Sequence, residues 1–181
     1  MTTWISLLRG INVSGKNSIK MADLKLSYGK LGFRDVKNYL QSGNIIFNSG
    51  ENDPVPLGNM ISVRLKEEFG LDVPVIVLSI NTLQRILENN PFRDDLLKDK
   101  ARQYITYLFS TPGEYDITGI NAAVLAGEEI SISNRAAYLY CPGGYGRTKL
   151  SNTFIEKKLK VPATTRNIKT SEALLRMSVI S

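Results

Sequence analysis

The chain has 181 residues, 43% of them hydrophobic and 22% charged, so it is long enough to bury a core and has the composition of a globular protein. Its single cysteine, Cys141, and its lack of histidine exclude an internal disulfide, a metal site of thiolates and imidazoles, and any nucleophile that a histidine activates. The net charge of +6 favours anionic partners, although a basic surface without a ligand explains it equally well.

The first half of the chain alternates strand and helix patterns. Gly32 and Gly70 end the two longer helical patterns, and a Ser-Gly-Asn turn at residues 42–44 joins two apolar runs into a predicted β-hairpin. In order, the predicted elements are a strand at Trp4–Leu8, a helix at Met21–Leu31, the hairpin at 36–47, a helix at Leu57–Phe69, a strand at Val73–Leu78 and a short helix at Ile80–Leu87.

The second half repeats this order of elements. Val73-Pro74 recurs as Val161-Pro162, 88 residues later, and several flanking residues recur at the same offset. In order, the predicted elements are a strand at Gln103–Phe109, a short helix at Asn121–Leu125, strands at Glu129–Ser133 and Ala136–Cys141, a helix at Leu150–Leu159, a strand at Val161–Arg166 and a last helix around Leu174–Met177.

Each half therefore predicts a β-α-β-β-α-β unit. We expect an α+β protein formed by internal duplication of two ferredoxin-like units, with mainly antiparallel sheets. The first repeat with its closing helix is predicted at residues 1–92 and the second at 101–181, and the charged segment 93–100 is the predicted linker.

The segment between the first strand and the hairpin is longer in the first repeat, and the surplus lies in residues 9–20. Gly10 to Lys16 has the G-x-x-x-x-G-K spacing of a phosphate-binding loop, but Asn17 stands where the motif needs a hydroxyl for Mg²⁺. The hairpin-rich pattern also contradicts the parallel sheet of nucleotide triphosphatases. Two readings remain: a loop that holds an anion with Arg9, Lys16 and Lys20, or a solvated loop that merely turns the chain.

A second glycine-rich segment, Gly143 to Lys149, leads into the predicted helix at Leu150. A glycine-rich backbone, a helix N-terminus, Arg147 and Lys149 together suit an anion, although an ordinary loop capped by Thr148 is the favoured alternative. Arg166 and Asn167, after the last strand, would extend the same patch.

For the other polar and aromatic residues, the sequence favours a structural role over a functional one. Tyr138 and Tyr140 alternate on one strand and could stack nucleic-acid bases, but packing in the core is the favoured reading. Cys141, in the same strand, is predicted to be a small buried hydrophobic residue. The carboxylates show no pair that suggests general acid and base catalysis.

Several stretches of the chain carry a resemblance to a known family: Leu7–Val13, Tyr39–Asn44, Arg147–Asn152, Ile155–Leu159 and Val161–Asn167. They resemble the bacterial family catalogued as domain of unknown function 1697. The resemblance implies a cytosolic α+β protein and no established activity, so it transfers no catalytic residue. Ser14 and Lys160 stand where that family usually has glycine, and Ile168 where tryptophan is common.

These stretches coincide with the donor-rich loops. The predicted ligand-binding residues are Arg9, Asn12, Lys16, Lys20, Gln41, Ser42, Asn44, Arg147, Lys149, Asn152, Arg166 and Asn167. The leading hypothesis is a module that binds nucleic acid or another phosphate-bearing ligand. The alternatives are an enzyme acting on a phosphorylated small molecule and a protein-interaction module with an exposed sheet edge.

Neither a cofactor nor a metal is predicted. The N-terminal residues lack the pattern of a signal peptide, and no apolar stretch approaches the roughly 20 residues that span a bilayer. Together with the single cysteine, this predicts a cytoplasmic protein with no membrane partner.

Overall fold

A computed structural model describes residues 1–180, which contain eight β-strands, six α-helices and a 3-10 turn at Lys100–Arg102. The elements of the first repeat are β1 (Thr2–Leu8), α1 (Met21–Lys30), β2 (Arg34–Tyr39), β3 (Asn44–Ser49), α2 (Pro54–Phe69), β4 (Val75–Ser79) and α3 (Ile80–Glu88). Those of the second repeat are β5 (Gln103–Leu108), α4 (Ile117–Asn121), β6 (Glu129–Ile132), β7 (Ala136–Tyr140), α5 (Asn152–Leu159), β8 (Ala163–Asn167) and α6 (Ile168–Val179).

The strands form two four-stranded antiparallel sheets with the same topology, β2-β3-β1-β4 and β6-β7-β5-β8. An equivalent main-chain hydrogen bond lies directly after the first strand of each repeat. The N–H of Arg9 donates to the carbonyl of Pro74 at 3.0 Å, and that of Phe109 donates to the carbonyl of Pro162 at 2.9 Å. The predicted α+β fold with an internal duplication is confirmed.

The chain divides into two compact units that differ from the two sequence repeats. The first unit contains Met1–Gln84 and the segment from Ala173 onward, and the second contains Arg85–Glu172. The first unit thus includes the later part of α6, and the second includes the end of α3. The boundaries predicted for the two sequence repeats, at residues 92 and 101, stay a prediction.

In the first unit, α1 and α2 cover one face of the sheet because alternate strand residues point toward them. Trp4 and Leu8 of β1 and Phe47 of β3 lie in one buried cluster with apolar residues of both helices. The hydroxyls of Ser6 and Tyr28 lie 2.8 Å apart within this interior, where burial raises the pKa of Tyr28. Ile5, on the opposite face, is also fully buried, so this part of the sheet is covered on both faces.

In the second unit, α4 and α5 cover one face of the sheet, and the segment that follows Gln84 contributes to the other. The hydroxyl of Tyr138 on β7 donates to the carbonyl of Ile86 at 2.8 Å. The amide of Asn90 donates to the side chain of Gln103 on β5 at 3.0 Å. The segment that closes the first repeat of the sequence therefore packs on the sheet of the second repeat.

Two predicted helix positions are wrong, and each error has a local cause. The short helix expected at Asn121–Leu125 forms at Ile117–Asn121, because the carboxylate of Asp116 accepts from the N–H of Gly119 and starts the helix earlier. Leu150 precedes α5, because Ser151 caps that helix by accepting from the N–H of Phe154.

None of the helices within residues 1–180 combines the length and the apolar content that crossing a bilayer requires.

Candidate functional site

The first loop, residues 9–20, contains a tight turn and is not a nucleotide-binding loop. The N–H of Lys16 donates to the carbonyl of Val13 at 2.9 Å, and the two central residues, Ser14 and Gly15, both have positive φ values of 49° and 74°. This is the arrangement of a type I′ turn. A phosphate-binding loop leads directly into a helix, whereas α1 begins only at Met21.

Asn12 joins the first loop to the hairpin turn, which comprises residues 40–44. Its side-chain amide donates to the carbonyls of Gln41 at 2.8 Å and Ile19 at 3.0 Å. Its side-chain oxygen accepts from the N–H of Ile19 at 2.8 Å. Asn17 adds a second internal bond, from its amide to the carbonyl of Gly10 at 3.0 Å. The first loop and the hairpin turn thus form one connected structure, called here the loop cluster.

The hairpin turn is held from inside by its own polar side chains. The amide of Asn44 donates to the carbonyl of Tyr39 and to the hydroxyl of Ser42, both at 2.9 Å. Gly43 is buried with a φ of 76°, and a Cβ added there would lie 2.7 Å from the Cβ of Leu8. The turn therefore packs directly against the end of β1.

Backbone strain is concentrated in the loop cluster. Six non-glycine residues of the described chain have positive φ values, and four of them lie here: Asn12, Ser14, Asn17 and Leu40. Each costs about 1 to 2 kcal/mol relative to an ordinary conformation, and such strain is found disproportionately at functional sites. The conformations of Asn17 and Leu40 were not predicted from the sequence, in which the only signal is that asparagine tolerates positive φ better than most residues.

The predicted residues of the loop cluster divide into two groups. The side chains of Asn12, Ser42 and Asn44 are engaged in building the loops. The side chains of Lys16, Lys20 and Gln41 are exposed, and Arg9 is half-buried at the end of β1. The side chains that build the loops position the exposed ones. The prediction therefore combined residues that hold the loops together with residues that offer donors at the surface.

The second loop, residues 142–151, is ordered by hydroxyl side chains that accept main-chain hydrogen bonds, and Ser151, not Thr148, caps α5. The hydroxyl of Thr148 accepts from the N–H of Leu150 at 3.0 Å, directly before the Ser151 cap of α5. Gly144 is buried, and a Cβ added there would lie 2.8 Å from the Nη1 of Arg102. Arg147 and Lys149 are exposed on this loop.

Asn152 and Asn167 have structural partners. The amide of Asn152 donates to the carbonyl of Ala163 at 2.9 Å, and its oxygen accepts from the hydroxyl of Thr165 at 3.0 Å, which joins α5 to β8. The amide of Asn167 donates to the carbonyl of Ala101 at 2.9 Å, and its oxygen accepts from the N–H of Lys169 at the start of α6.

Arg166, unlike the exposed cations of the second loop, is buried. Only 8% of its surface is exposed, and its guanidinium donates to the hydroxyl of Thr164 at 2.8 Å and to the carbonyl of Thr165 at 2.9 Å. Burial lowers the pKa of this guanidinium to about 10. Because side chains alternate along a strand, Arg166 points away from the face where Thr165 meets Asn152. Unlike the exposed Arg147 and Lys149, it offers little surface to a ligand.

Tyr138 and Cys141 lie in the core, as predicted. Tyr138 is 2% exposed and Cys141 is fully buried. Burial raises the pKa of the Cys141 thiol to about 11, so the thiol is neutral near pH 7.

The charges of the exposed cations in both loops are not neutralised by a carboxylate within residues 1–180. Within the part of the chain that the structure describes, Lys16, Lys20, Arg147 and Lys149 form no ion pair. Among residues 1–180 there is also no group of three or more aspartate, glutamate and cysteine side chains that could hold a metal ion. The arrangement offers positive charge and hydrogen-bond donors on ordered loops.

The two sheets and their helices define a duplicated α+β protein of ferredoxin-like type. The chain belongs to the family described as a protein of unknown function (DUF1697), whose sequence model matches residues 1–138, a range that includes the loop cluster and ends before the second loop. The resemblance seen in the sequence is therefore confirmed. The structure of a conserved bacterial protein from Streptococcus pneumoniae is similar, with a TM-score of 0.72, 26% sequence identity, and coverage of 97% of this chain and 98% of that one. A search of curated proteins gives no significant match.

Proposed function

We propose that this protein binds nucleic acid through the phosphate backbone, with the exposed cations of the loop cluster and of the second loop as its contacts. The observation that carries the proposal is that Lys16, Lys20, Arg147 and Lys149 are exposed without an ion-pair partner in the described chain. A cation that no carboxylate neutralises is available to replace a counterion of a phosphate. The net charge of +6 adds long-range attraction for a polyanion.

The rigidity of the loop cluster supports a binding role. The bonds of Asn12 to Gln41 and Ile19 fix the loop before any ligand arrives. A loop that is already ordered loses less conformational entropy when it binds, so more of the contact energy remains as affinity.

The chemistry of these loops favours contact with phosphates over reading of bases. Lysine and arginine contacts to phosphate carry no sequence information. Of the two aromatic residues considered for stacking, Tyr138 is buried, so it does not offer its ring to a base. Tyr140 is half-buried, and its ring already contacts Phe92 and the amine of Lys98. We therefore expect binding that depends steeply on salt and weakly on nucleotide sequence.

The proposal is tested by fluorescence-anisotropy titration of short single- and double-stranded RNA and DNA at several salt concentrations. The test variants are Lys16→Ala with Lys20→Ala, and Arg147→Ala with Lys149→Ala. The control is Lys157→Ala with Lys169→Ala, which removes the same charge from exposed helix positions outside both loops. Each phosphate contact that is lost should reduce the slope of log affinity against log salt by about 0.7 to 0.9.

The expected result is weaker binding and a smaller salt slope for the loop variants than for the control. An equal loss in all three variants would mean that net charge alone attracts the ligand, and it would overturn the assignment to the loops. Absence of binding at low salt would discard nucleic acid as the ligand.

A further inference from the structure

An open groove lies beside α1 in the first unit, outside the loops discussed above. Its volume is about 780 Å³. Its lining residues are Ala22, Lys25, Leu26, Gly29, Lys30 and Val36.

The groove presents apolar surface to solvent. Ala22, Leu26 and Gly29 are spaced at i, i+4 and i+7, so they form one line along α1. Leu26 is 65% exposed and adds its apolar side chain to the surface of the groove. Val36 on β2 forms the other wall and packs inward against the core of the unit.

Nothing in the fold requires a glycine at position 29. It lies within a helix without positive φ, and a Cβ added there would have no other atom within 4 Å. Glycine in a helix is unfavourable relative to alanine because it loses more backbone entropy on folding. A small residue on the groove wall is explained if another chain approaches α1 closely at this point.

The charge at the rim of the groove and the bulge in the neighbouring strand β2 limit the kind of partner that can bind there. Lys25 has no ion-pair partner within residues 1–180, whereas Lys30 pairs with Glu68. β2 is an edge strand, but its register shifts between Arg34 and Lys37, and Asp35 in this bulge has a φ of 52°. Such a bulge opposes the addition of another strand, so a helix suits the groove better.

We propose that this groove docks an amphipathic helix of an acidic partner protein, with apolar side chains against Leu26 and Val36 and a carboxylate beside Lys25. A second copy of this chain is disfavoured, because two molecules of net charge +6 would bring like charges together. The interaction is separate from the proposed nucleic-acid contacts, which lie on other loops.

The test is to select peptides that bind this protein from a displayed random library. Each peptide has about 15 residues, the length at which an isolated helix begins to persist. The strongest peptide is then labelled and titrated by fluorescence anisotropy. We expect selected peptides to repeat apolar residues at helical spacing with aspartate or glutamate beside them. The variant Gly29→Gln should weaken binding by about tenfold or more, because its side chain fills the groove. It should leave folding intact, because glutamine favours a helix more than glycine does.

Two further variants make the outcome decisive. Lys25→Glu should shift the selected peptides from acidic to basic, whereas Val63→Gln, at an exposed position of α2 outside the groove, should change nothing. A library that yields no binder, or binders without acidic residues that are insensitive to Gly29→Gln, overturns the proposal. Self-association in analytical ultracentrifugation that Gly29→Gln abolishes also overturns it, because the occupant is then a second copy.

Discussion

The side-chain amide of Asn12 donates to the main-chain carbonyl of Gln41 at 2.8 Å, across 29 residues of sequence. This bond joins the long loop after β1 to the turn between β2 and β3. Together with the two bonds between Asn12 and Ile19, it makes one side chain the main link in the loop cluster.

Asn12→Ala should therefore destabilise the protein by about 2 kcal/mol, through loss of these hydrogen bonds and through the unfavourable φ of 54° that alanine would adopt. Urea denaturation measures the change. Asn12→Gly is the matched variant, because it loses the same bonds but tolerates the backbone conformation. If glycine and alanine were equally destabilising, the conformational part of the explanation would be wrong.

Gly43 and Gly15 have nearly the same φ, 76° and 74°, but different surroundings. Gly43→Ala would place a methyl group 2.7 Å from the Cβ of Leu8, whereas Gly15→Ala would meet no atom within 4 Å. We expect a loss of about 3 kcal/mol or more for the first and about 1 kcal/mol for the second. Thermal and urea denaturation of both variants measure the difference, and equal losses would contradict the close packing of the hairpin turn.

Lys160 ends α5 in a left-handed conformation with a φ of 57°, the role that Gly70 has at the end of α2. Lys160→Gly should raise the free energy of unfolding by about 0.5 to 1 kcal/mol, because glycine removes the strain and part of the gain is offset by greater entropy of the unfolded chain. Lys157→Gly, inside the same helix, should lower it by about 1 kcal/mol. A change of the same sign in both variants would show that conformation is not the cause.

The buried thiol of Cys141 predicts a stability that falls in alkaline solution. Its pKa is raised from 9.0 to about 11 by burial, so the folded state retains the proton after the unfolded state has lost it. The free energy of unfolding should therefore be unaffected below pH 9 and should decrease as the pH rises from 9 to about 11, by at most about 2 to 3 kcal/mol.

Urea denaturation of the protein and of Cys141→Ala across this pH range measures the effect. Buried tyrosines such as Tyr28 also have raised pKa values and contribute in both proteins, so the difference between the two curves isolates the thiol. Parallel curves would mean that Cys141 titrates normally.

The fold could be predicted because its determinants are local. Gly32 and Gly70 end helices where the glycine pattern indicated, and residues 42–44 form the turn between β2 and β3. The recurrence of Val73-Pro74 as Val161-Pro162 indicated the duplication, and the carbonyls of both prolines accept the same kind of hydrogen bond.

The candidate site could be predicted only in part, because residue type does not reveal which partner a donor has. Asn12 and Asn152 look like ligand donors in the sequence, but each uses its amide to join two segments of the chain. Arg166 and Arg147 look alike in the sequence, because both are arginines in donor-rich segments. In the structure, strand alternation places Arg166 on a covered face of the sheet. The sequence does not show whether that face is covered.

The division of the chain into units affects the order in which it can fold during synthesis. Residues 85–172 leave the ribosome as one continuous stretch, so the second unit can complete its core while translation continues. The first unit begins earlier, but its segment from Ala173 is made only afterwards. Its N-terminal part can therefore meet this segment only after the whole of the second unit has been synthesised. A chain interrupted after Glu172 would contain every residue of the second unit but lack the C-terminal segment of the first.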